Sequence, residues 1–290
     1  LISLYTYDDV LDCSDEEVYS IKNTIEINRV YNDIGLDGKN IKVGMIESGS
    51  PETTPHFDAS QVTVIGTGVE QENHASYTAL IIKTFAPGVS IYSTNCNFSN
   101  IELMLDEGIG VINMSAGYSI DYNSTLYQLW NRWSDHISAQ HNVLMICSAG
   151  NALNTQILAP AMACNSLAVG GFDEQGTSDE NDDLLFEYSY INGDGCSKPD
   201  VVAPANLWGK GTSSSAPIVT GIVALMLEFK PSLAYQPHLI KAILLASCQR
   251  KVQNPAGVAA ESMAQGITDR QGAGAVDAWN AICIISQGQY

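Results

Sequence analysis

Residues 210–229 read KGTSSSAPIVTGIVALMLEF, and the reading of this stretch decides the fold. Gly211 and Thr212 permit a tight turn. Pro217 is compatible with a first helical turn and not with a helix interior. The apolar run that follows is that of a buried helix. Ser213 then stands at the N-terminus of that helix, beside backbone N–H groups and the positive end of the dipole. Such a setting stabilises negative charge developing on an attacked carbonyl. Ser213, Ser214 and Ser215 could equally serve as plain N-caps. The segment alone leaves both a nucleophile and a capping serine open.

Upstream of this helix, short apolar runs alternate with helical patterns. IKVGMIE (41–47), QVTVIGTG (61–68), VSIYSTN (89–95), GVINMSAG (110–117), NVLMICSAGN (142–151) and NSLAVGG (165–171) read as strands. They are β-branched or apolar and end in Gly, Ser or Asn. Residues 75–85, 124–140, 213–229, 236–248 and 274–285 read as helices. In the second of these, Leu126, Leu129, Trp130, Trp133 and Ile137 recur at helical spacing. Strands alternating with helices argue for an α/β fold with a mostly parallel sheet covered on both faces. A sheet of that kind gathers its chemistry at the carboxyl ends of its strands. The polar stretch 173–183 reads as a surface loop or hairpin.

The residues at those ends are suggestive. Glu47 closes the first strand, and a carboxylate ending a buried strand needs a partner. A histidine is a natural one; a solvated acid or a pair with Lys or Arg is the plainer reading. Asn151 follows the fifth strand, where its amide could donate to an oxyanion or simply shape a turn. Ser115 ends the fourth. His74 precedes an apolar helix, whereas His136 and His141 look like surface positions, His238 starts a helix and His56 lies in a Pro-rich loop.

In this order and these contexts the segments carry a resemblance: from about residue 36 onward the chain is similar to the subtilisin family (subtilases) of serine proteases. GLDGKNIKVGMIESG resembles the family's entry into its first core strand, and NHASYTAL the segment carrying its catalytic histidine. VINMSAG resembles the cleft-lining strand, and SAGN the oxyanion segment. KPDVVAPA followed by GTSSSAP resembles the segments leading to the nucleophile, and GAGAVDAWNAI the terminal helix. The resemblance implies a subtilisin-like three-layer sandwich over residues 23–290. Residues 1–22 are then an N-terminal arm or the remnant of a pro-region. It implies that Ser213 attacks a peptide carbonyl, that His74 is the general base, and that Asn151 and the Ser213 N–H hold the oxyanion. Ser115, Ala116 and Gly117 would form one wall of the substrate cleft. Chemistry of this kind requires no cofactor. Members of the family often bind structural calcium, but no ligand ladder is legible here. A secreted or cell-surface location is expected.

The pattern departs from the family near the base. Glu47 stands where the family has Asp, one methylene longer, so orienting His74 calls for compensating shifts. Ala75 and Leu80 replace glycines, Tyr77 replaces a second histidine, and Ala205 replaces the glycine after Ala-Pro. Leu80 suggests altered packing around His74. Besides an active endopeptidase, a peptide-binding pseudoprotease stays open, as does an esterase or peptide ligase working through the same acyl-enzyme. A nucleotide-binding protein is set aside, because no GxGxxG or P-loop follows a strand.

Charge and composition narrow the partners. With 13 Lys+Arg against 32 Asp+Glu the formal net charge is −19. Phosphate neutralisation needs basic patches, so nucleic acid is a poor partner and an anionic membrane equally so. A protein or peptide substrate suits the chain better. No run approaches the length of a membrane span, and the N-terminal LISLYTYDDVLDCSDEE lacks the basic and apolar regions of a signal peptide. Seven cysteines without a CxxC pair support no zinc ribbon, and an odd count forbids full pairing within the chain. Cys147 and Cys248 read as small core residues.

Overall fold

The computed structural model describes residues 13–118, 123–152, 157–177, 179–186, 188–191, 197–208, 211–248, 252–256 and 267–288. Their strands form one sheet: β1 Lys42–Glu47, β2 Val62–Val64, β3 Ser90–Asn95, β4 Val111–Met114, β5 Leu144–Ser148, β6 Leu167–Asp173, β7 Leu184–Leu185 and β8 Val201–Pro204. The order is β2-β3-β1-β4-β5-β6-β7, with β8 also paired to β6. The pairs are parallel except β6–β7, which closes a hairpin over residues 173–185. From β1 the chain runs to the edge strand β2 and returns through β3, which lies beside β1, then crosses to the other side of β1 for β4, β5 and β6. The sheet thus switches direction at β1, and the carboxyl ends of β1, β4 and β5 open there into one crevice.

All six expected strands form, and two are added: the short β7, and β8 within KPDVVAPA. The helices are α1 Asp15–Thr24, α2 Ile27–Arg29 (continued by a π-helical turn, Val30–Ile34), α3 Asn73–Phe85, α4 Phe98–Leu105, α5 Thr125–His141, α6 Thr212–Phe229, α7 Pro237–Ser247 and α8 Ala278–Gln287. Side-chain alternation along the strands divides two cores between them. Val43, Met45, Val111, Leu144, Ile146, Leu167 and Val169 join the core beneath α1, α3, α6, α7 and α8. Ile46, Ile112, Met114, Met145, Cys147 and Ala168 join the core beneath α4 and α5. The result is the three-layer α/β sandwich expected.

Helix α6 is the axis of the first core. It is the one described helix long and apolar enough to cross a membrane, and 83% of it is buried inside the domain. Its close approach to α3 rests on Gly221, where an added Cβ would lie 2.7 Å from Phe85 Cβ. On α3 the tight side is built from Ala75 and Ala79, both fully buried, while Leu80 packs at the margin. The residues expected to disturb the histidine helix are therefore absorbed by small neighbours and by a glycine on the facing helix. Pro217 is a correction. It lies inside α6 rather than in its first turn, and the freed carbonyl matters below.

Helix α1 runs across the expected boundary at residue 22. Ser14 caps it with a full capping box, and Ile21 is buried in the same core as α6. The described part of the arm is thus built into the domain. Cys147 is buried and Cys248 half-buried; the six described cysteines are free, and Cys196 lies outside the described residues.

Candidate active site

Each expected site residue stands at the crevice, placed by its own element. Glu47 is the last residue of β1 and is fully buried. Its Oε2 lies 3.0 Å from His74 Nδ1, and its Oε1 accepts the Ser115 N–H at 3.2 Å. The longer glutamate arm thus reaches the imidazole and spends its other oxygen on the sheet. That ion-pair geometry puts the proton on Nδ1, the tautomer control a third group exerts on a catalytic histidine. His74 sits in the first turn of α3 and keeps 22% of its side chain exposed.

Glu72 caps α3. Its carboxylate accepts the His74 N–H at 3.0 Å and the Ala75 N–H at 2.9 Å. Burial alone would depress the His74 pKa, but the charge and hydrogen bond of Glu47 and the charge of Glu72 outweigh it, and the pKa is raised from the ordinary 6.5.

Ser213 lies in the first turn of α6, where N–H groups have no carbonyl of their own helix to meet. Its Oγ donates to Ser115 O at 3.1 Å. The reverse contact also exists: Ser115 Oγ donates to Ser213 O at 3.1 Å. That carbonyl would ordinarily take the N–H four residues on, but residue 217 is proline and has none. Pro217 inside the helix therefore releases the acceptor that locks Ser213 to the end of β4. Asn113 supports the lock, donating to Ser115 Oγ at 3.0 Å and accepting from Thr220 Oγ1 of α6 at 3.1 Å.

Asn151 follows β5 and accepts through Oδ1 from both the N–H and Oγ1 of Thr212, each at 2.9 Å. Thr212 Oγ1 in turn accepts the Gly150 N–H at 3.1 Å. With its oxygen so engaged, the amide presents its NH2 end beside Gly211, where an added Cβ would come within 2.7 Å of Nδ2. Gly211 also has φ +117°, a conformation L side chains rarely adopt. Ala116 and Gly117 continue from Ser115 as a half-buried edge. Asn113 and Glu72 carry no signal in the sequence, and Thr212, read there only as part of a tight turn, proves to hold the Asn151 amide.

The remaining histidines, His56, His136, His141 and His238, are exposed and away from this cluster. Among the described residues no group of three or more His, Cys, Asp or Glu could hold a metal ion. In the acidic hairpin several carboxylates are engaged by hydrogen bonds. Glu174 accepts from Ser20 and Asn206, Asp182 accepts from Thr177, and Asp179 from Asn181.

Comparison with known proteins agrees with this architecture. The profile of the subtilase family matches residues 57–274, and the chain belongs to that family. The membrane-bound transcription factor site-1 protease of Rattus norvegicus is 25% identical, over 75% of this chain. The chain spans 24% of that protein's length. Among solved structures, the prenylagaramide maturation protease PagA superposes with a TM-score of 0.68 at 23% identity, covering 88% of this chain and 97% of its own. A lanthipeptide protease gives 0.68 at 19% identity, covering 93% of this chain and 95% of its own.

Proposed function

We propose that the protein is a serine endopeptidase that cleaves peptide bonds through an acyl-enzyme on Ser213. The observation that carries this reading is one continuous set of contacts. Glu47 holds His74 Nδ1 with one oxygen and the Ser115 N–H with the other, and Ser115 O receives the Ser213 hydroxyl. Acid, base and nucleophile are thereby referred to a single backbone unit at the switch of the sheet.

In the reaction, an extended peptide lies along Ser115, Ala116 and Gly117 by main-chain pairing. Ser213 Oγ leaves Ser115 O and attacks the carbonyl carbon while His74 Nε2 takes its proton. Glu47 stabilises the imidazolium so formed. The carbonyl oxygen, now negative, is met by Asn151 Nδ2 and the Ser213 N–H. His74 passes its proton to the leaving amine. Water then repeats the sequence on the ester and frees Ser213. A processing role on a particular peptide is favoured over broad degradation. Two structural neighbours carry peptide-maturation or lanthipeptide names, and the chain departs from the family around its histidine.

The test is labelling with a fluorophosphonate, the adduct being located by mass spectrometry. Modification of Ser213 in the native chain, absent from Ser213→Ala and from His74→Ala, is expected. A folded protein that takes no label would overturn the reading in favour of a peptide-binding module.

A further inference from the structure

Leu158 lies between the two loops that flank Ser213. Its N–H donates to Ala149 O at 3.0 Å, and its neighbour Ala159 exchanges two hydrogen bonds with Tyr118, at 3.0 and 3.1 Å. Residues 157–159 therefore bridge the loop after β5 and the loop after β4. The side chain fills the gap. A Cβ added to Gly117 would lie 2.7 Å from Leu158 Cβ and 2.9 Å from its Cδ1. One added to Gly150 would lie 3.0 Å from Leu158 Cγ and 3.4 Å from Cδ1. One isobutyl group touches both walls, and the two glycines make room for it. Leu158 is half-buried, so part of it remains exposed.

This gap is where a substrate side chain has to go, given the proposed peptidase reading. The attacked carbonyl sits on Ser213 Oγ with its oxygen toward Asn151. The α-carbon of the same residue is one bond away. With the peptide paired along 115–117, the side chain on that carbon enters between 115–117 and 149–151, onto Leu158. We infer that Leu158 sets the specificity of the enzyme on the acyl side of the scissile bond, admitting Gly, Ala or Ser and refusing aromatic and long aliphatic side chains. Leu158 presents an apolar wall there, with the Ser189 hydroxyl beside Gly150, and misfit by a single methylene in a hydrophobic pocket changes discrimination by roughly 10–200-fold.

The experiment compares the native chain with Leu158→Ala and Leu158→Gly. The substrates are tetrapeptide anilides that differ only in a final Ala, Leu or Phe, and the matching N-acetyl peptide acids are titrated by calorimetry. The native chain is expected to favour Ala over Phe by at least about 100-fold in kcat/KM and to bind the Ala acid more tightly. In Leu158→Gly that ratio shrinks at least tenfold or reverses, with Leu158→Ala between. A native chain that takes Phe as readily as Ala overturns the inference, as does an unchanged ratio in either folded variant. Labelling of Ser213 reports separately on the peptidase reading. Where no label forms, that reading falls, and the binding order of the two acids in native and variant chains decides the role of Leu158.

Discussion

Two carboxylates stand at opposite ends of the same sheet, Glu47 fully buried and Asp200 with 9% of its side chain exposed, and their surroundings differ in kind. Asp200, just before β8, lies at the amino ends of the strands. Its Oδ2 accepts from Lys198 Nζ and the Ala168 N–H, both at 2.7 Å, and its Oδ1 lies 3.0 Å from Lys241 Nζ. The two lysines spend further protons on Ser166 O, at 2.9 and 2.8 Å. Glu47, at the carboxyl ends, meets one backbone N–H and one imidazole. The first cluster is closed by two lysines and pins β6, β8 and α7 together. The second holds a group that gains and loses a proton near neutrality. A carboxylate held by two lysines fastens strands to a helix, whereas one that faces histidine beside a crevice orients an ionisable imidazole.

That contrast can be broken by substitution. The largest effect is expected from Glu47→Gln, which keeps the shape but removes the charge: turnover should fall by roughly 10⁴-fold with the fold intact. In the native chain the acid limb of kcat/KM should lie above the ordinary histidine value, because the His74 pKa is raised and the base works only when neutral. The limb should move to lower pH in the variant. An unmoved limb would mean that Glu47 does not govern the imidazole. The same raised pKa links to stability with a definite sign. The Glu47–His74 attraction contributes fully below pH 6.5, the ordinary histidine value, and fades as pH rises through the folded pKa.

Asp200→Asn should do the reverse, losing about 3–5 kcal/mol of stability in denaturant titrations because Lys198 is left buried and uncompensated. The kcat/KM of the folded fraction should stay near the native value; a loss comparable to that of Glu47→Gln would erase the distinction between the two ends. Asn151→Ala should lower kcat by roughly 10²–10³-fold with KM little changed, since its amide acts on charge present only in the transition state. A fall confined to KM would assign the amide to ground-state binding. The smallest effect is expected from Glu72→Gln. Removing the second negative charge should move the acid limb to lower pH, by less than Glu47→Gln does, and a pH–rate profile of both variants orders the two.

Much of this was readable before any coordinates. The sheet order of chemistry followed from strand-ending residues: Glu47, Ser115 and Asn151 each close an apolar run, and doubly wound sheets use those ends. Helices α1, α2 and α4 were not anticipated. Helix α1 is short and acidic on its exposed face, α2 is a single turn, and α4 is a two-turn segment following a strand that ends in polar residues. Strand β8 was met as a motif rather than as a strand because proline ends it. Pro217 was assigned to a first turn because an interior proline ordinarily breaks a helix. Here Ser115 Oγ takes the carbonyl it leaves unpaired.

The sequence by itself determined the α/β class, which follows from local periodicity, and its short motifs carried the resemblance to the subtilases that singled out Ser213, His74, Glu47 and Asn151. The tertiary structure decided how they act together. Only long-range packing shows that a glutamate spans the distance usual for a shorter acid, that Thr212 turns the Asn151 amide toward the crevice, or that Leu158 occupies the gap between two glycines. Leucine in a loop carries no chemical signature of its own; what it does depends on which walls the fold places on either side of it.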